Sequence, residues 1–325
     1  MNNNLNMKKI FRGVAPMAGV TDWPMRVLCY RMGANYACSE MVSAMGWMCA
    51  KENNQAYKQL LYCHEEETNT ACQLFGNDPV VIGEATARAT ALNRFTSIDI
   101  NMGCPARKIV SGGDGSALLK TPELAQRIME SIKKNTHLPV TLKTRLGFDE
   151  NSMNAIILAK MAEELGFAWV CFHGRTRMQQ YSGVADYVAI RQLKEQLKIP
   201  VIANGDVKEP DGGLKILKET GADGYMVGRA IIGNPFLFRG LSEIENGLPL
   251  TPITNEERSK IALQHLLWMV EFKGERIGIT EMRKHLSHYV SGFRGATALR
   301  RELNTLTDYQ TLKSCIEYAF SNSEE

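Results

Sequence analysis

Between residue 13 and about residue 240, short β-rich runs alternate with longer stretches of helical spacing, and this alternation restricts the fold more than any other feature of the chain. The runs fall at 13–17, 36–40, 70–75, 97–101, 139–144, 169–173, 200–204 and 224–227. Helical spacing fills intervals such as 122–135, 154–165, 188–197 and 212–220. Strands that alternate with helices pair in parallel. Eight such units predict closure into a barrel, because an open doubly wound sheet usually has fewer strands. Beyond Pro249 and Pro252 the alternation stops, and helices alone are predicted over 255–272, 279–291, 296–304 and 308–320. Thr254-Asn255-Glu256-Glu257 suits a helix start, with acids in the first turn. The expected architecture is α/β: a TIM (β/α)₈ barrel over 1–245 with an appended C-terminal all-helical domain over 250–325.

Composition agrees with a folded chain of this size. Of 325 residues, 44% are hydrophobic and 22% charged, which excludes a disordered chain, a collagen and a coiled-coil rod. A net charge of +3 is too mild to name a partner, so only its distribution informs. The eight cysteines include no C-x-x-C pair, which argues against a zinc knuckle or thioredoxin-like motif, and no metal site is expected. Reduced thiols, no run of 18 apolar residues and no leader-like start predict a cytoplasmic protein without a membrane span. The polar residues before Ile10 read as a variable tail.

In barrels of this kind, chemistry collects at the carboxyl ends of the strands. The eight predicted strands end in Pro16-Met17-Ala18-Gly19, Ser39-Glu40, Gln73 before Phe75-Gly76, Asn101-Met102-Gly103-Cys104-Pro105, Lys143 and Arg145, His173-Gly174-Arg175-Thr176, Asn204-Gly205-Asp206, and Gly228-Arg229. Together they describe one lined pocket. The last two endings suit a phosphate: Gly205 and Gly228 let backbone N–H groups approach an anion, and Arg229 adds a charged fork. No G-x-G-x-x-G follows the first strand, so a Rossmann site is not indicated. Gly112-Gly113-Asp114-Gly115-Ser116 lacks the lysine of a P-loop and reads as a flexible loop before a helix. Cys104 alone among the cysteines lies in a Gly-Cys-Pro turn after a strand, whereas Cys38 and Cys171 sit in apolar strands and are expected in the core.

These residues carry a family resemblance. Ala15-Pro16-Met17-Ala18-Gly19-Val20-Thr21-Asp22, Ser39-Glu40-Met41, Ile100-Asn101-Met102-Gly103-Cys104-Pro105, Gly115-Ser116-Ala117-Leu118, His173-Gly174-Arg175-Thr176 and Ala203-Asn204-Gly205-Asp206 resemble the tRNA-dihydrouridine synthases, most of all their bacterial B-type branch. The resemblance spans about residues 10–305, and Asn-Met-Gly-Cys-Pro is its most specific motif. It implies a cytoplasmic, monomeric flavoenzyme. FMN, reduced by NADPH (or NADH), would give hydride to one carbon of a uracil 5,6 double bond in tRNA, and Cys104 would give a proton to the other. Pro16, Met17 and Ala18 would lie against the flavin ring, and Gln73 and Lys143 would bond its polar edge. Asn204, Gly205, Asp206, Gly228 and Arg229 would hold its phosphate, with His173 between flavin and substrate. Asn101 and Arg175 would contact the RNA.

The helical tail adds a charge pattern that whole-chain arithmetic hides. From 273 to 301 it carries Lys273, Arg276, Arg283, Lys284, Arg294, Arg300 and Arg301 against Glu275 and Glu281, with His285, His288, Tyr289 and Phe293 interleaved. Such a stripe can neutralise phosphates and stack on bases. The resemblance implies that this tail grips tRNA, with Arg283 and Lys284 as the phosphate contacts. Three alternatives stay open: a synthase acting on ribosomal RNA, an FMN oxidoreductase of free pyrimidines, and an RNA-binding protein without catalysis.

Overall fold

The computed structural model describes residues 10–322, so the polar segment 1–9 lies outside the described residues. Among the described residues, nine strands form one parallel sheet: β1 (Phe11–Val14), β2 (Tyr36–Cys38), β3 (Val42–Ser43), β4 (Thr70–Phe75), β5 (Ser97–Met102), β6 (Val140–Arg145), β7 (Trp169–His173), β8 (Val201–Asn204) and β9 (Gly224–Val227). β1 pairs with both β2 and β9, and β2 also pairs with β4, so the sheet closes on itself. β3 is the continuation of β2 past a bulge. Cys38 pairs with Ala71 and Val42 with Leu74, so three residues, 39–41, face two, 72–73. The Ser39 hydroxyl takes over a ladder position there, accepting the Gln73 N–H at 3.0 Å. The barrel is thus eight-stranded, as the alternation predicts. The first strand begins at Phe11 rather than Gly13, and its polar end lies beyond the ladder.

The connecting helices start where short polar side chains can cap them. Asp22 precedes the helix Trp23–Arg31, Asp78 precedes Pro79–Ala91 and Asp186 precedes Tyr187–Glu195, each accepting a first-turn N–H. Burial falls into three cores. Phe11, Tyr36, Cys38, Trp169 and Cys171 fill the barrel interior, which places both strand cysteines in the core. A larger layer, including Ile82, Ile128, Leu142, Leu158 and Ile216, lies between strands and helices.

The third core belongs to four tail helices, Asn255–Lys273, Glu275–Tyr289, Ala296–Thr305 and Tyr309–Ser321. Thr254 caps the first, accepting from the Glu257 N–H at 3.2 Å. The second starts at Glu275, four residues before the apolar spacing places it, because Gly274 lets the chain turn directly from one helix into the next. His285 and Tyr289 are fully buried in this core, where burial holds the His285 imidazole neutral. They are therefore not part of an exposed RNA-facing stripe. Lys273 is also withdrawn from that stripe: its ammonium is buried and bonds Asp22 of the barrel at 2.6 Å and Glu281 at 2.5 Å. Trp268 and Phe272 of the first tail helix pack on Trp23, at 5.2 and 5.7 Å between ring centroids. The tail is anchored to the barrel beside the segment that follows β1. Among the described residues, no helix is long and apolar enough to cross a membrane.

Candidate active site

A cavity of about 900 Å³ opens at the carboxyl ends of the strands. Strand register brings its polar residues together. Asn101 pairs with Lys143, Arg145 with His173, and His173 with Asn204. The predicted residues Pro16, Met17, Ala18, Asn101, Cys104, Lys143, His173, Arg175, Asn204, Gly205, Asp206, Gly228 and Arg229 all line it. Gln73, Arg283 and Lys284 do not. Gln73 is fully buried beneath the cavity, bonded to Asp99 and Asn101. Arg283 is half-buried and spends its guanidinium on the Leu306 carbonyl at 3.1 Å, clamping the turn between the last two helices. Lys284 reaches the barrel instead: a Cβ built on Gly19 would stand 3.2 Å from its Nζ.

The wall at residues 16–20 is fastened from below. The Thr21 hydroxyl accepts the Met17 N–H at 2.8 Å, and the Glu40 carboxylate, raised by the bulge, accepts the Gly19 N–H. Opposite it, Asn101 Oδ1 accepts the N–H groups of Gly103 and Cys104 at 3.1 and 2.9 Å. The Cys104 carbonyl accepts the Ser116 hydroxyl at 2.8 Å. Gly115 permits this brace. Its φ is +59°, and a Cβ there would stand 3.1 Å from the Cys104 carbonyl oxygen and 3.2 Å from its Cβ. The glycine-rich segment is therefore not a free loop: Gly115–Lys120 forms a 3₁₀ turn whose buried start supports Cys104.

The lining is strongly cationic, with Arg107, Lys143, Arg145, Arg175, Lys208 and Arg229 against Asp206. Most of these charges are held by carbonyls. Arg145 donates to Gly103, Thr176 and Gln180, and burial pulls its guanidinium down to about 10. Arg175 donates to Ser182, Gly183 and the Asp206 carboxylate, the last at 2.7 Å. Lys143 donates to Asn204 Oδ1 at 2.9 Å, and among the described residues it enters no ion pair. Burial, together with Arg145, Lys143, Arg175 and Arg229, holds His173 neutral far below its ordinary range. Burial also pushes the Cys104 thiol up, against the pull of the Ala106 N–H, Arg145 and Lys143. The thiol keeps its proton at neutral pH.

One residue at the mouth, Tyr181, carries no periodic or motif signal in the sequence. Tyr181 lies in the loop after β7, half exposed, with Arg229 4.2 Å above its ring and Arg145 at 5.5 Å. Arg145 was legible as a strand-end residue, but its three carbonyl bonds were not. At the far side, Gly205 has φ +132°, and a Cβ there would stand 2.8 Å from Ala185. The N–H groups of Gly205, Asp206 and Gly228 meet no acceptor among the described residues. A Cβ on Gly228 would touch nothing closer than Met17 Sδ at 3.9 Å, so this backbone faces open cavity. The Asp206 carboxylate is turned to Arg175 and the Ala185 N–H, leaving its backbone for an anion.

A family profile described as dihydrouridine synthase (Dus) matches residues 13–324. The chain belongs to the dihydrouridine synthase family. It is 39% identical to a protein named tRNA-dihydrouridine synthase B from Vibrio vulnificus strain CMCP6, over 95% of both chains. It is 37% identical to the protein of that name from Pseudomonas aeruginosa, covering 96% of this chain and 93% of the relative. A probable tRNA-dihydrouridine synthase of Rickettsia conorii is 39% identical over 96% of this chain and 94% of its own.

Proposed function

We propose that this enzyme reduces the 5,6 double bond of uridines in tRNA to 5,6-dihydrouridine, using FMN re-reduced by NADPH. The observation that carries the reading is Cys104: a protonated thiol on a braced loop, at the wall of a cavity shaped and charged for a phosphorylated cofactor. The residues present fit FMN. Unengaged N–H groups at 205, 206 and 228, with Arg229, suit its phosphate. Lys143 and neutral His173 suit its polar ring edge, and residues 16–18 form an apolar wall anchored through the Met17 N–H to Thr21. Bound and reduced, FMN supplies the hydride.

The chain's own residues supply the rest. Cys104 donates its proton to one ring carbon, and the thiolate left behind is stabilised by Arg145 and Lys143 and takes a proton back from solvent. The mouth residue Tyr181 orients the uracil, which must leave its stack to reach the cavity, and Asn101 and Arg175 hold the loops against which it lies. The helical domain over 250–325 holds the RNA, with Lys284 beside the cavity rim and the exposed Arg276, Arg294 and Arg301 further out. Arg283 is not carried forward, because the Leu306 carbonyl occupies it. A monomer acting in the cytoplasm suffices for this chemistry.

Purified protein with FMN and NADPH is expected to form dihydrouridine in unmodified tRNA, with activity that falls steeply as salt rises. Equal turnover of free uracil without RNA, or modification of ribosomal RNA with none of tRNA, would contradict the proposal.

A further inference from the structure

From beneath the cavity up to its wall, three buried side chains form a hydrogen-bond chain whose polarity runs one way. Asp99 and Asn101 lie on β5 and Gln73 on β4. Gln73 Nε2 donates to Asp99 Oδ2 at 2.7 Å. Gln73 Oε1 accepts from Asn101 Nδ2 at 2.9 Å. Asn101 Oδ1 then accepts the backbone N–H groups of Gly103 and Cys104.

An amide turned end for end keeps its shape, so its neighbours decide its orientation. Asp99 is the fixed end. Its Oδ1 accepts the Thr141 hydroxyl at 2.5 Å, and its Oδ2 faces the Gln73 amide and the Cys38 thiol. Burial raises its carboxyl to about 6, while hydrogen bonds from Gln73 and Thr141 and the charge of Lys143 hold it down, so it is an acceptor only above that pH. Gln73 must then present its nitrogen to Asp99 and its oxygen to Asn101. Asn101 in turn must present its nitrogen to Gln73, which aims its oxygen at the Cys104 loop. Turning Gln73 over would set oxygen against oxygen at one end and nitrogen against nitrogen at the other, both away from water.

We propose that Asp99 is a positioning residue that fixes, through Gln73, the orientation of the Asn101 amide and with it the backbone of the Cys104 loop. The consequence for proton transfer rests on the proposed role of Cys104, but the coupling itself does not. It is therefore read by hydrogen exchange at pH 8, on protein without RNA, at the amides of Gly103 and Cys104.

Asp99→Leu removes the acceptor and is expected to speed exchange at these two amides about tenfold, the worth of one hydrogen bond. The β7 amides at 170–172 serve as the unchanged reference. The pair Asp99→Asn with Gln73→Glu moves the acceptor-only group one step along the chain and conserves charge. It is expected to keep exchange at 103 and 104 within about threefold of the parent. Parent-like protection in Asp99→Leu overturns the proposal, as does exchange in the pair as fast as in Asp99→Leu. If Asp99→Leu does not fold, the pair decides alone: parent-like protection supports the relay, and rapid exchange or failure to fold contradicts it. Because no turnover is read, absence of dihydrouridine formation would sink the functional reading without touching this result.

Discussion

Cys104→Ala is expected to retain the flavin and to lose about 10²–10⁴-fold in dihydrouridine formation, the range for removing a positioned general acid. The change removes only the thiol's contact with the Ala106 N–H from the loop. Its loop is held by backbone contacts, the N–H groups of Gly103 and Cys104 to Asn101 and the Cys104 carbonyl to Ser116. Alanine preserves all of them. The wall at residues 16–18, proposed to face the flavin, stands on separate supports, Thr21 and Glu40. Absorbance of the purified variant reports the flavin, and dihydrouridine in tRNA incubated with it reports the chemistry. Parent-like turnover in the variant would remove Cys104 from the mechanism.

The largest stability effect is expected at Glu67. Its two oxygens receive four donors: Arg26 Nε at 2.5 Å, Arg26 at 3.0 Å through a second nitrogen, the His64 N–H at 2.8 Å and the Thr70 hydroxyl at 3.2 Å. Both side chains are almost wholly out of water, at 2% exposure for Arg26 and 0% for Glu67. Glu67→Gln keeps the shape but turns one acceptor into a donor that must face other donors, and it leaves the Arg26 charge buried and unpaired. The expected cost is about 3–5 kcal/mol, read as a lower urea midpoint at constant slope. The neighbouring Arg31–Glu66 pair is the control. Its side chains are 42% and 37% exposed, so Glu66→Gln is expected to cost less than about 1 kcal/mol. Equal midpoint shifts for the two substitutions would contradict this.

Much of the barrel was legible because its period is coarse and repeated. Buried parallel strands read as apolar runs, and helices between them fix the direction of pairing. The bulge at 39–41 was not legible, since Ser39-Glu40-Met41 continues an extended pattern and only the pairing partners reveal the extra residue. At the site, strand-end residues were legible as a set because a barrel gathers such ends on one rim. Their individual partners were not. Gln73 reads as a wall residue in the sequence, yet it faces Asp99 beneath the floor. The tail shows the same limit. Lys273, Arg283 and His285 belong to a basic run in sequence, but each is taken up by packing or by a distant partner, in one case Asp22, 251 residues away. Charge runs are local, whereas burial depends on which helix faces arrive from elsewhere. Tyr181 escaped because loop residues carry no periodic signal.

The central claim, reduction of uridine in tRNA, is tested most directly by measuring dihydrouridine at each tRNA position in the host strain with and without this gene. The account predicts loss at defined positions, restored by the intact gene and not by one carrying Cys104→Ala. An unchanged dihydrouridine profile in a strain shown to carry no second enzyme for those positions would contradict it.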